Sequence, residues 1–179
     1  MGNEELIHIQ WCGPLTMEKV GDLGGDTDYG VYQVYGKHPV YGSKALLYIG
    51  KARHQTFSDR LSQQEWKDWY FEEGKIEIHV GRLSGLATPS DEVWAAQIDK
   101  VEALLILACK PARNASMIRG ISEDRDKSLQ QVHVLNWGDY AALPPEVPGS
   151  RWTSVKDLGP TYGPYVYRGD KMNRGTSRL

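Results

Sequence analysis

The sequence predicts one domain of the α/β (α+β) class, and three stretches carry that prediction. Between Asp28 and Arg60, two apolar runs flank a loop rich in glycine and containing Pro39, the pattern of a β-hairpin. Lys75-Ile76-Glu77-Ile78-His79-Val80 alternates strictly between polar and apolar residues, the period of a half-buried strand. Over 90–109, between Pro89 and Pro111, apolar residues recur at helical spacing. A chain of 179 residues is long enough for one sizeable core and short for two.

Taken in order, Leu6 to Trp11 alternates as a short strand that Gly13-Pro14 ends. Thr16 caps a short helix reaching Leu23, with Met17 and Val20 turned inward and Glu18, Lys19 and Asp22 outward. The hairpin follows, with strands over 31–35 and 45–50 and a loop over 36–43. Thr56 or Ser58 is the N-cap of a helix running to about residue 70, its apolar surface made by Phe57, Leu61, Trp66, Trp69 and Tyr70. Glu72-Glu73-Gly74 stops it, the alternating strand comes next, and the long helix opens at Ser90 and closes at Lys110-Pro111. Residues 114–127 read as a charged loop and 132–135 as a strand, and Pro144, Pro145, Pro148 and Gly149 mark irregular chain after it.

With 40% hydrophobic and 25% charged residues, the composition excludes a disordered chain. No apolar run approaches the roughly 18 residues of a membrane-spanning helix, and the N-terminal MGNEEL is acidic where a secretory signal is basic, so the expectation is a cytoplasmic protein. Cys12 and Cys109 have no metal-ligand spacing and read as buried thiols, and the five histidines form no metal-binding motif. The net charge of -2 argues against a protein that coats nucleic acid. Positive charge is local instead: Lys37, Lys44, Lys51, Arg53 and Arg60 face Asp59 alone within 30–60, and the last dozen residues are again basic.

A turn centred near Val40 places Tyr32 opposite Tyr48 on one sheet face, provided that no bulge shifts the register. Packing of two rings and chemistry by two phenols both remain open at this point. Glu102 lies inside the apolar stripe of Trp94, Ile98, Leu105 and Cys109, where a carboxylate needs a cation, a metal ion or several hydrogen bonds; a salt bridge to Arg60 meets that need as well as a metal does. Arg60 and Gln64 stand one helical turn apart, and the arginine suits a phosphate through its paired donors.

These residues, taken together and in order, resemble the GIY-YIG nuclease superfamily. Gly30-Val31-Tyr32 matches the first triplet and Tyr48-Ile49-Gly50-Lys51 the second; Arg60-Leu61, Val101-Glu102-Ala103, Lys110-Pro111 and Asn114 follow. The resemblance covers about residues 28–116 and implies a small antiparallel sheet of about three core strands flanked by helices, with an N-terminal extension over 1–27 and a C-terminal one over 117–179. It implies a DNA endonuclease in which Tyr32 is the general base, Tyr48 and Arg60 hold the phosphate, and Glu102 binds one divalent ion, Mg²⁺ or Mn²⁺. Nearby cations, Arg60 and Lys51 among them, are expected to lower the Tyr32 pKa. Lys44, Lys51, Arg53, His54, Gln64 and Asn114 would serve DNA contacts, with Asn114 supporting the site. Many relatives carry histidine where this chain has Gln64, which cannot act as a base; a silent nucleic-acid-binding module is therefore the alternative. A cut through both strands needs a second site, so a dimer is compatible with the activity.

Overall fold

The computed structural model describes residues 4–63, 76–114 and 128–152. Ten elements follow in order: β1 (Glu5–Leu15), α1 (Met17–Val20), β2 (Gly30–His38), β3 (Gly42–Ala52), α2 (Phe57–Leu61), β4 (Glu77–Ser84), α3 (Asp91–Cys109), β5 (Val132–Gly138), β6 (Glu146–Pro148) and α4 (Gly149–Trp152). The strands form one six-stranded sheet in the order β3-β2-β4-β1-β5-β6. Every neighbouring pair is antiparallel except β1 and β5, which run parallel.

This corrects the expectation of about three core strands. The antiparallel trio β3-β2-β4 is present, but it is half of the sheet. The reason lies in α3: 19 residues make a helix about 28 Å long, whereas three strands span only about 10 Å between outer axes. Burying its apolar side takes a wider floor. Ile7, Ile9 and Trp11 of β1, Val132 and Val134 of β5 and Val147 of β6 extend that floor beyond Val31 and Ile49, beneath Ile98, Val101, Leu104 and Leu105. On the other face, Val20 of α1 with Phe57 and Leu61 of α2 cover Tyr32 and Val34 of β2, Ala52 of β3 and Ile78 and Val80 of β4. The sheet is thus sandwiched between α3 and the α1–α2 pair.

Local signals explain most boundaries. Thr16 and Thr56 cap α1 and α2 through their hydroxyls, and α3 ends at Lys110, whose left-handed backbone (φ 46°) donates its N–H to Ile106. Several boundaries differ from expectation. α1 stops at Val20 and not at Leu23, and β2 and β3 run to His38 and from Gly42, so that the expected loop over 36–43 shrinks to 39–41. β1 continues through Gly13-Pro14 to Leu15, because a register shift between Cys12 and Leu15 lets the strand pass the proline while staying paired with β4. β4 extends to Ser84 through Gly81, whose missing side chain leaves space that Ile9 and Trp11 fill. The chain near Pro145 and Pro148 is a short outer strand, where a missing N–H costs no ladder bond.

Cys12 is exposed rather than buried, and both cysteines are free thiols. α2 ends at Leu61 with Ser62 as its C-cap, which corrects the expectation of one helix running to about residue 70; Trp66, Trp69 and Tyr70 and the basic C-terminal tail lie outside the described residues. Among the described residues, no helix is long and apolar enough to cross a membrane.

The hairpin register is the detail that positions the site. Near the turn His38 faces Gly42, but one irregularity between Gly36 and His38 and another between Val34 and Tyr35 each move the pairing by one residue. Tyr32 therefore faces Gly50, and Tyr48 faces Val34, instead of each other. A single slip would have sent the two tyrosines to opposite faces. Two slips return them to the same face as diagonal neighbours.

Candidate active site

Tyr32 is fully buried and Tyr48 half-exposed, and their rings stack with centroids 6.2 Å apart and planes 29° apart. Gly50 lies beneath both. A Cβ at this position would stand 2.5 Å from the Tyr32 Oη and 2.6 Å from the Tyr48 ring, so the close approach of the rings requires glycine. α2 brings Arg60 to the same place: its guanidinium hydrogen-bonds the Tyr32 phenol and also donates to Gln63 Oε1 at 2.5 Å.

Burial pushes the Tyr32 phenol well above its ordinary pKa, and the neighbouring Tyr48 and Glu102 add to the rise. Arg60 opposes the shift through charge and hydrogen bonding, but burial prevails. The expectation that cationic neighbours lower this pKa is corrected: with the protein's own charges, Tyr32 holds its proton throughout the neutral range.

A second cluster comes from the α3 side of the sheet. Glu102 is 4% exposed, as the interrupted apolar stripe requires, and its partner is Lys51 of β3. The Lys51 Nζ stands 2.7 Å from Glu102 Oε2 and 3.0 Å from Asp99 Oδ1, while Arg53 pairs with the other oxygen of Asp99. These approaches are ion pairs by distance; neither Glu102 Oε2 nor Asp99 Oδ1 receives a well-directed hydrogen bond. Desolvation works against the Lys51 charge, but the two carboxylates outweigh it and raise the pKa of the ammonium.

The two clusters meet because β3 is an outer strand of the sheet. A cavity of about 480 Å³ wraps its edge and is walled by Tyr48, Lys51, Arg53, His54, Arg60 and Glu102. Its position along the edge is set by the segment after α3. Ala112 and Arg113 donate their N–H groups to Leu46 and Leu47, and the Asn114 amide both accepts from Ile49 N–H (2.9 Å) and donates to Ile49 C=O (2.9 Å). Asn114 thus replaces a neighbouring strand up to the middle of the Tyr48-Ile49-Gly50 triplet, and the cavity lies next to it.

Of the residues singled out in the sequence, Tyr32, Tyr48, Arg60 and Glu102 are brought together from β2, β3, α2 and α3, and Lys51, Arg53 and His54 stand beside them. Two candidate contacts stand outside the cavity wall. Asn114 is 1% exposed with its amide committed to Ile49, in a supporting place, and Lys44 lies at the exposed end of the hairpin against Glu77 at 3.2 Å. Gln64 lies outside the described residues. Asp99 was not singled out, although its place three residues before Glu102 puts it on the same helix face.

Among the described residues, no group of three or more His, Cys, Asp and Glu side chains forms a ready metal site. Two carboxylates one turn apart, one of them buried, do fit a Mg²⁺-like ion, which takes one or two carboxylates and completes its shell with water and phosphate oxygens. Lys51 holds the place between them. Comparison of the chain with protein-family models, curated proteins and solved structures finds no match.

Proposed function

We propose that the chain is a divalent-metal-dependent endonuclease of the GIY-YIG type, hydrolysing phosphodiester bonds in DNA. One observation carries the reading: a phenol, a guanidinium and a buried carboxylate line one cation-rich cavity, and a second, buried phenol, Tyr32, stacks behind the first, the four groups coming from four separate elements. A backbone phosphate entering this cavity meets Arg60, whose paired donors match two of its oxygens, with Lys51 and Arg53 adding charge. Tyr48 borders the same space through its half-exposed ring. Asp99 and Glu102 would hold the ion, which when bound supplies charge neutralisation and lowers the pKa of nearby phenol and water. Two adjustments by the chain itself accompany this. Lys51 leaves the carboxylates for the phosphate, and Tyr32 Oη releases its proton to bulk solvent, leaving a phenolate that Arg60 stabilises and that then accepts the proton of the attacking water.

The test is nicking of supercoiled plasmid and of a duplex carrying one bulged nucleotide, in Mg²⁺ or Mn²⁺, beside Tyr32→Phe, Arg60→Ala and Glu102→Ala. Nicking by the native protein and its loss in all three folded variants is the expected result; nicking that survives Glu102→Ala, or its absence in the native protein, refutes the proposal. A nucleic-acid-binding module without catalysis is the second reading. It is favoured by the protonated Tyr32 and by the Lys51 contact to Glu102, and its signature is a metal-independent gel shift without nicking.

A further inference from the structure

The cavity at the β3 edge adjoins a second chamber of about 320 Å³, and Arg53 and His54 belong to the walls of both. The second chamber has a different chemistry. Tyr29, just before β2, and Trp94, in the first turn of α3, meet there edge to face, with centroids 5.6 Å apart and planes at 65°. Both rings are half-exposed, and the exposed carboxylates of Asp26 and Asp91 stand in the same wall. A third space of about 570 Å³ adjoins it and shares Asp26, Tyr29 and Trp94.

Along this groove the character changes from cationic, at Lys51, Arg53 and Arg60, to aromatic with an acidic rim. A phosphate is favoured at the first place and repelled at the second. A nucleobase is suited to the second: it has a π-face for stacking and ring or exocyclic N–H groups that carboxylates accept. The order of the two chambers therefore matches the order of groups in a nucleotide.

We propose that the Tyr29–Trp94 chamber is a nucleobase-binding subsite, occupied by an unpaired base next to the phosphate held at the β3 edge. A base inside a duplex is covered on both faces and cannot enter, so the inference deepens the nuclease reading, on which it rests, by naming the substrate class: DNA with an unpaired nucleotide beside the cut, as in a bulge, a flap or a single strand. Asp26 and Asp91 favour a base that presents donors.

The test uses 2-aminopurine deoxyriboside 5′-monophosphate, whose fluorescence is quenched on stacking, titrated into the full chain and into Tyr29→Leu and Trp94→Leu. Because Trp94 also packs against the core, the Tyr29 variant carries the test if the Trp94 variant does not fold. Quenching by the native protein and its loss in the folded variant is expected. In parallel, duplexes with one bulged adenosine or one bulged abasic residue are compared by gel shift. The native protein should prefer the base by about tenfold or more, and Tyr29→Leu should level the two. Unchanged probe emission together with equal affinity for both bulges overturns the subsite, whether or not plasmid is nicked. Quenching that Tyr29→Leu abolishes, in a protein that cuts neither plasmid nor the bulged duplexes with Mg²⁺ or Mn²⁺ present, upholds the subsite and refutes the nuclease.

Discussion

Replacing Gly50 by alanine tests the site's geometry with one carbon atom. The added Cβ would lie 2.5 Å from Tyr32 Oη and 2.6 Å from the Tyr48 ring, where ordinary contact begins at 3.4 Å. Tyr32 is fully buried among Val34, Phe57 and Val80 and has little room to retreat. Tyr48, being half-exposed, is the ring that shifts. Overpacking of this kind costs about 1–3 kcal/mol, and alanine recovers about 0.5–1 kcal/mol relative to glycine inside a strand, so a net loss of about 1–2 kcal/mol is expected. Urea denaturation followed by circular dichroism reads this as a midpoint lowered by about 0.5–1 M at unchanged slope. Nicking should fall further than stability, by about a hundredfold, because a displacement of about 1 Å in a positioning group is costly to the reaction. A Gly50→Ala protein as stable as the native one would refute the close contact of the rings. One that is destabilised yet fully active would refute the role given to Tyr48.

Three further outcomes are open to measurement. Asn114→Ala leaves the buried Ile49 N–H and C=O without their partners and should cost about 2–4 kcal/mol in denaturant unfolding, since each such loss costs about 1–3 kcal/mol. Lys51→Met removes the cation between Asp99 and Glu102, and Mn²⁺ titration followed by electron paramagnetic resonance should show tighter binding than in the native protein; equal or weaker binding would show that Lys51 does not compete for the carboxylates. The Lys51 pKa is raised in the fold, so its contribution to stability is fully present below the free-lysine value of 10.5 and is lost as pH rises through the higher folded value. Lys51→Met should remove this alkaline loss from the stability profile. For Asp28, burial favours the neutral acid, but Arg82 at 2.5 Å and the Gly25 N–H outweigh it and hold the pKa below 3.8. Its stabilisation is therefore present above the unfolded value and lost as pH falls through the folded one, and Asp28→Asn should flatten that acid limb.

The legible parts of the fold are those decided within a short span. Thr56 starts α2 by a side-chain cap, whereas Ser90 precedes α3 in extended backbone without a side-chain cap and the helix is bracketed by the prolines at 89 and 111. Glu102 was conspicuous because a carboxylate interrupts an apolar stripe, and that pattern needs no knowledge of the partner. The partner itself, Lys51 and not Arg60, depends on how α3 crosses β3. What escaped the sequence depends on distant pairing. The parallel contact of β1 with β5 joins residues such as Trp11 and Asn136, whose side chains hydrogen-bond at 2.8 Å across 125 positions. No local period encodes that pairing, nor does a three-residue strand bordered by prolines announce itself. The dominance of burial over cations at Tyr32 likewise follows from packing by Phe57 and Val80, which a list of nearby charges does not convey.

The twice-displaced ladder between β2 and β3 sets a rule for how this hairpin can change in length. Adding or deleting one residue in the paired stretches between Tyr35 and His38 or between Gly42 and Leu46 would invert the outer strand, burying Lys51 among the rings and turning Tyr48 toward α3. A change of two residues restores the facing of every side chain. Length added at the unpaired tip between His38 and Gly42 leaves the ladder in register, so loop libraries or tag insertions belong there.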